Sequence, residues 1–384
     1  MRFIHTADWH LGRLFHGVHL TDDQRFILKS FCALVRDSKP DAVLIAGDIY
    51  DRAVPPPEAV RLLDDVLSEL VLDIGVPVLL IAGNHDSPHR LDFGSRLLAG
   101  RRLHVVGGPS HTMSPIVLND AHGPVHFYLL PFAEPGMVRK VFACEEAVDH
   151  DTAMKHILNT VRASADSTTR KVLMGHAFVA GGKGCESERP LSVGTAGTVD
   201  ASHFHGFDYV ALGHLHEPQT VGDPRIRYSG SLLKYSFDEV DHAKSVNIVE
   251  MAADGTCNCE AAALQSQRNV RRISGLMSDL LVGSQFGNTD DYLEIIALDD
   301  GPVVDAVGRL RGIYPNLLHF GRVQKELPHG EGMRGSVNQN QHRDLFKDFF
   351  AHTTGEPLND AQDNAYVATV EAMLAREREA EVAK

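Results

Sequence analysis

Cysteine is scarce in this chain: Cys32, Cys144, Cys185, Cys257 and Cys259 are the five among 384 residues. An odd, scattered set is no disulfide framework. Cys257 and Cys259 stand too close together, with no second pair, to be half of a usual zinc site. Five reduced thiols predict a cytoplasmic protein. No apolar run reaches membrane-spanning length. The start, Met1-Arg2-Phe3-Ile4-His5, offers no apolar stretch of the kind a secretory leader needs. A Gly-x-x-x-x-Gly-Lys-Ser/Thr loop is missing, so any use of ATP must come from a partner. Positive charge is also in deficit. The formal net charge of −14 excludes a generally basic, nucleic-acid-coating surface, although cations bound at a site would invert the field locally. Internal repeats and low-complexity tracts are absent.

What is present is ample core material. Hydrophobic residues make up 43% and charged residues 23%, and the length predicts two or three domains. Histidine is abundant, at 22 residues, and several histidines fall at one kind of place. The stretch that organises the chain is Gly83-Asn84-His85-Asp86, which follows the apolar run Val76 to Ala82. An apolar run bounded by turn residues reads as a buried strand. The pattern recurs. Phe3 to Ala7 ends in Asp8-Trp9-His10, and Ala42 to Ala46 in Gly47-Asp48-Ile49-Tyr50-Asp51. Lys171 to Met174 ends in Gly175-His176, and Tyr209 to Leu212 in Gly213-His214-Leu215-His216. In open α/β sheets, ligands gather at the carboxyl ends of the strands.

Periodicity predicts helices over Gln24 to Val35, after Pro55-Pro56-Pro57, over Leu91 to Leu98 and over Asp151 to Ala163. The second and third are apolar enough to be core or partly a dimer surface. Strands are predicted at Val125 to Leu130, Ile226 to Ser231 and Ser245 to Met251. The alternation predicts a layered α/β fold. Near Leu264 the character changes. Arg268, Arg271 and Arg272 form a basic cluster. Tyr292 to Leu298, Val303 to Tyr314 and Leu317 to Val323 predict a small β-α-β unit. Leu327 to Asn340 is rich in Gly, Asn and Gln and reads as a linker. Two helices follow, Asp344 to Phe350 and Asp360 to Glu381. Apolar residues stand at Leu345, Phe346, Phe349 and Phe350 on the first, and at Val367, Val370, Met373 and Leu374 on the second. Such a pair buries little alone, so it either packs back on the body or docks on a partner.

Carboxylate, imidazole and amide oxygen together suit Mn, Fe or Zn better than the all-oxygen sets of Ca and Mg. Asp8, His10, Asp48, Asn84, His176, His214 and His216 are seven candidate ligands, and Asp48, with two carboxylate oxygens, is the natural bridge. Two ions roughly 3.5–4 Å apart would clamp a phosphate and activate a water. The leaving alkoxide needs a proton, and His85 adjoins Asn84.

The ordered set Asp8-x-His10, Gly47-Asp48-x-x-Asp51, Gly83-Asn84-His85-Asp86, Gly175-His176 and Gly213-His214-x-His216 resembles the calcineurin-like metallophosphoesterases. His176 to Gly182, Ser187 to Gly194, Phe207 to His216 and Tyr228 to Ser231, with the helical tail, resemble more narrowly the nuclease subunits of SbcCD-type complexes. The resemblance implies a four-layer αββα sandwich over 1–265, a small DNA-contacting cap over 266–326, a linker over 327–340 and a partner-binding helical tail over 341–384. It implies one metal on Asp8, His10, Asp48 and His216 and a second on Asp48, Asn84, His176 and His214. Manganese is the ion it suggests. His85 would be the proton donor, Asp51 would orient it, and Asp86 would stand behind the ligands. It implies 3′→5′ exonuclease action on double-stranded DNA, driven by a partner's ATP turnover, and endonuclease action on single strands and hairpins. It also implies a homodimer carrying an SbcC-type ATPase, free of membrane and nucleoid-associated through DNA. Alternative readings are a phosphatase or phosphodiesterase for a non-DNA substrate on the same fold, and a scaffold that has lost its metals.

Overall fold

The computed structural model describes residues 1–166, 168–189, 191, 197–299, 303–322 and 339–382. Twelve strands build its two main sheets. They are β1 (Arg2–Thr6), β2 (Ala42–Ala46), β3 (Val78–Ile81), β4 (Leu103–Val106), β5 (Ile116–Asp120), β6 (Gly123–Leu130), β7 (Arg170–His176), β8 (Tyr209–Gly213), β9 (Gln219–Val221), β10 (Asp223–Tyr228), β11 (Ser245–Met251) and β12 (Cys257–Ala263). The first sheet runs β12-β11-β1-β2-β3-β4 and the second β9-β10-β8-β7-β6-β5. In each, the four consecutive strands that matter here are parallel: β1 to β4 in one and β10, β8, β7 and β6 in the other.

The near-continuous apolar strands follow from burial on both faces. Inward, Phe3, Leu44, Leu79 and Ile81 meet Phe127, Val172, Met174 and Tyr209 between the sheets. Outward, Ile4, Val43, Ile45 and Leu80 lie under α1 (Thr21–Ser38) and α2 (Pro57–Ser68), which contribute Ile27, Phe31, Val35, Leu62 and Val66. On the other side, Leu173, Val210 and Leu212 lie under α3 (His150–Ser164) with Ile157, Leu158 and Val161. The result is the expected αββα order of layers. Asp149 caps α3 by accepting from Thr152 N–H at 2.8 Å. Lys39, in the left-handed region, ends α1.

The predicted helix over Leu91 to Leu98 is instead two single turns, Pro88–Leu91 and Ser95–Ala99. Gly94, at φ +76°, separates them. Phe93 and Leu97 there are 86% and 83% exposed, so this segment is surface, whereas the face of α2 formed by Ala59, Leu62, Leu63 and Val66 is core.

The β-α-β unit gains a strand. β13 (Val270–Gly275), β14 (Tyr292–Ala297) and β15 (Leu317–Arg322) form a parallel sheet, with α4 (Ala306–Arg311) between the last two. Its own core holds Ile273, Leu280, Leu293, Ile295, Leu310 and Tyr314. Val270 and Tyr292 join the core under α1. The three arginines of the basic cluster are each paired: Arg268 with Asp23, Arg271 with Asp291 and Arg272 with Glu294. Of the predicted linker, 327–338 lie outside the described residues, while Gln339 and Asn340 open α5 (Gln339–Thr354). α5 and α6 (Asp360–Val382) hold each other through Arg343 on Asp363 at 2.8 Å and a stacked Phe346–Tyr366 pair, centroids 4.2 Å apart. The Met373 and Leu374 side chains lie outside the description.

Candidate metal centre

The parallel registers bring five strand ends to one seam. Ala46 pairs with Ile81 in one sheet, and Gly213 with His176 in the other. Hydrogen bonds that involve the candidate ligands help close the seam. His176 Nδ1–H donates across it to Ala46 O at 2.9 Å, and His214 N–H donates to the Asp8 carboxylate at 3.0 Å. The loops leaving the strands turn sharply. Asp8, His10, Asp48 and His214 all have positive φ, at 54°, 45°, 48° and 108°, each costing about 1–3 kcal/mol. The surrounding packing holds them there. Gly83 allows the closest approach, since a Cβ on it would stand 2.1 Å from Asp48 Oδ1.

Seven candidate ligands converge on this seam in two groups. In one, Asp8, His10 and His216 bring their donor atoms within 4.8 Å of one another, and His10 Nε2 lies 3.0 Å from His216 Nε2. In the other, Asn84 Oδ1 lies 2.9 Å from His176 Nε2 and 3.0 Å from His214 Nδ1. Asp48 Oδ2 lies between the groups, 3.6 Å from His10 Nε2 and 3.6 Å from His176 Nε2.

The chemistry of this donor set fits metal. With its Nδ1 proton on Ala46 O, neutral His176 offers only a lone pair at Nε2, and that lone pair faces a carbonyl oxygen of Asn84. Asn84 Nδ2 and His10 Nδ1 are buried without a hydrogen-bond partner. Burial drives the His10 and His214 imidazoles well below their ordinary range. Burial and the Asp48 charge drive Asp8 well above its own. Burial opposes ionisation of Asp48, yet His176, His85 and the His85 N–H hold its pKa low. Neutral imidazoles and desolvated carboxylates crowded together need a cation to balance them.

The remaining predicted residues lie alongside. His85 N–H donates to Asp48 Oδ1 at 2.9 Å, and His85 Nε2 lies 3.9 Å from Asp48 Oδ2. His85 Nδ1 meets Asp51, but through the backbone oxygen at 2.8 Å. The Asp51 carboxylate takes Arg13 instead, at 2.8 Å, and lies 3.8 Å from His10 Nδ1. Burial holds the His85 imidazole below its ordinary range, against the pull of Asp48. Asp86 accepts from the N–H groups of Ile49, Tyr50 and Gly83. It thereby ties the Asp48 loop to the Asn84 loop, and burial pushes it up to about 7.

The family model of the calcineurin-like phosphoesterases matches residues 1–218. The chain is 31% identical over 379 residues to the SbcD subunit of the SbcCD nuclease of Staphylococcus epidermidis, covering 98% of this chain and 100% of that one. The chain belongs to the calcineurin-like phosphoesterases, in their SbcD branch. Beyond the phosphoesterase region of this SbcD-type chain, residues 266–354 match a model described as the type 5 capsule protein repressor C-terminal domain. Solved structures with similarity include TT1561 of Thermus thermophilus, at TM-score 0.40 and 12% identity over 68% of this chain and 98% of that one. A dimetal phosphatase from Danio rerio gives TM-score 0.39 and 13% identity over 69% and 99%. As an SbcD-type phosphoesterase the chain is a metal-dependent hydrolase of phosphate esters.

Sequence reasoning missed several residues that support the SbcD-type site. Gln24 donates to the carbonyls of Trp9 and His10. Glu188 accepts from His216 N–H, and Glu239 and Lys244 lie just behind His216. Glu188 stands in a stretch already matched to the family. The others lie 14 to 28 positions from the nearest motif residue they serve, in no pattern that periodicity detects. Among the described residues, no helix is long and apolar enough to cross a membrane.

Proposed function

We propose that this chain is the nuclease subunit of an SbcCD-type complex, hydrolysing DNA phosphodiesters in the cytoplasm with two manganese ions. The observation that carries the reading is the position of Asp48 Oδ2, equidistant from the inner nitrogens of His10 and His176. A carboxylate so placed is shared by two ligand groups. Asp8, His10, Asp48 and His216 would hold one ion, and Asp48, Asn84, His176 and His214 the other. Two such ions supply Lewis acidity for a phosphodiester and an attacking water. The chain's own residues do the rest. His85 carries one proton on Nδ1, donated to Asp51 O, which turns Nε2 toward the site. The Asp48 charge favours a second proton at Nε2, and that imidazolium would hand its Nε2 proton to the leaving oxygen. Asp51 positions His85 through its backbone and steadies Arg13 with its side chain. Asp86 keeps the two loops in register.

The proposed domain division is a nuclease domain over 1–265, a DNA-contacting cap over 266–326, a linker over 327–340 and a tail over 341–384. The match of residues 266–354 to one family model supports reading the cap and α5 as a common accessory region. The tail would bind an SbcC-type ATPase, whose ATP turnover drives 3′→5′ degradation of duplex DNA, while hairpins and single strands are cut endonucleolytically. Exposed Phe93 and Leu97 support a homodimer built on the segment from Pro88 to Ala99.

The test is cleavage of hairpin DNA by the purified chain with Mn²⁺, with and without an SbcC-type ATPase and ATP. Hairpin opening, with duplex degradation only when ATPase and ATP are present, is expected. Hydrolysis of simple phosphomonoesters or cyclic nucleotides with no DNA cut under either condition would contradict the proposal.

A further inference from the structure

Behind His216 runs a buried chain of hydrogen bonds centred on Ser187. Its Oγ lies 2.6 Å from His216 Nδ1 and 2.5 Å from Glu239 Oε1. Ser187 and Glu239 are both buried, Glu239 completely. The direct approach of Glu239 to His216 Nδ1 is longer, 3.6 Å, so the hydroxyl mediates. The donor inventory then fixes every proton. A carboxylate only accepts, and a hydroxyl has one hydrogen to give. Ser187 O–H therefore donates to Glu239, and the Ser187 oxygen accepts from His216 Nδ1–H. Glu239 has the company that an ionised carboxylate needs: Lys244 Nζ on Oε2 and Tyr235 N–H on Oε1.

The backbone of His216 is held as firmly as its ring. Its N–H donates to Glu188 Oε1 at 2.7 Å, and its carbonyl accepts from Lys244 Nζ at 2.7 Å. Lys244 also donates to Ser231 Oγ at 2.8 Å. One lysine thus joins Glu239 to the main chain of the residue that Glu239 orients. Cys185 Sγ stands near this cluster too, but it bonds Ser187 Oγ at 3.2 Å and Glu188 Oε1 at 3.3 Å. Ser187 fills the space between thiol and imidazole, so no separate metal position opens there.

We infer that Glu239 and Ser187 are positioning residues of the metal centre: through the hydroxyl, the carboxylate fixes His216 as its Nδ1–H tautomer and aims a bare Nε2 at Asp8 and His10. The inference rests on reading His216 as a ligand. Carboxylates that orient a ligating imidazole through its far nitrogen raise its basicity and fix its plane, and their loss weakens metal binding about 10–100-fold. Here a serine is interposed.

Two measurements test it. In metal-free protein labelled with ¹⁵N-histidine, the His216 signals are those absent from His216→Gln. They should report Nδ1 protonated and Nε2 bare; an Nε2–H tautomer overturns the assignment, and this needs no variant at Ser187 or Glu239 to fold. Calorimetric titration with Mn²⁺ should then find two ions on the wild type. Ser187→Ala, which removes one oxygen, should weaken one of the two sites about 10–100-fold and leave the other, and Ser187→Thr should restore it. Two wild-type-strength sites in Ser187→Ala overturn the relay alone. A wild type that binds no Mn²⁺ overturns the ligand reading beneath it.

Discussion

His10 Nε2 and His216 Nε2 stand 3.0 Å apart, although 206 positions separate the residues in the chain. The far sides of the two rings differ: one is hydrogen-bonded and the other only faces a carboxylate 3.8 Å away. His216 Nδ1 rests on Ser187 and His10 Nδ1 faces Asp51. His10 reaches this place with a φ of 45°, a conformation that an ordinary loop residue has no reason to hold. Two sheets, packed through Phe3, Phe127 and Tyr209, fix both rings to the same point.

The role proposed for His85 separates proton donation from metal binding, and a variant there tests it. It touches Asp48 through a backbone N–H and its ring completes neither ligand group. His85→Gln should keep both metals and bind hairpin DNA, and lose about 10²–10⁴-fold in cleavage rate, the range for a positioned proton donor. Single-turnover cleavage beside elemental analysis checks this. Loss of metal together with activity would make His85 a ligand.

His5 makes stability depend on acid. Its ring is buried between the sheets, bonded to Tyr209 Oη at 3.0 Å and Leu212 O at 3.1 Å. Burial lowers its pKa from 6.5 to about 3. The unfolded chain therefore takes up a proton between these values that the folded chain refuses. Stability is unaffected above pH 6.5 and falls as pH drops from 6.5 towards 3, by at most about 5 kcal/mol at about 1.4 kcal/mol per unit. His5→Gln should flatten the dependence of the urea midpoint on pH between 6.5 and 4. An unchanged slope would remove His5 from the account.

Phe93 and Leu97 test the dimer. Both are exposed, unlike Leu91 of the same segment, which packs against the core, so Phe93→Glu with Leu97→Glu should leave the melting temperature within a few degrees and halve the mass by light scattering. A dimer that persists would place the interface elsewhere.

The tail is tested by deletion after Asn340. Its two helices are joined by Arg343–Asp363 and Phe346–Tyr366. The shortened chain should melt as before, bind manganese as before and fail to co-purify with the ATPase. Unfolding, or undiminished association, would assign the helices another role.

The strand ends were legible because burial on both faces writes strands as apolar runs, and the candidate ligands follow each run directly. Other elements were not. The strand Cys257–Ala263 reads Cys-Asn-Cys-Glu-Ala-Ala-Ala, with no β-branched residue to announce it; its edge position beside β11 decides it. Val270–Gly275 was obscured by Arg271 and Arg272, whose charges are answered by Asp291 and Glu294 across space. Leu91 to Leu98 carried helical periodicity, but Gly94 divides it. The Asp51 carboxylate is turned away from His85 by Arg13, a pairing that motif spacing does not encode. Glu239 stands in a three-residue turn, 52 positions from Ser187, and only the folded chain brings the two together.

The central claim is that Asp48 is shared by two metal ions. Elemental analysis of protein loaded with Mn²⁺ and freed of excess tests it most directly. The wild type should retain about two ions per chain, and Asp48→Ala, folded by circular dichroism, should retain one or none. Two ions in Asp48→Ala would contradict the account.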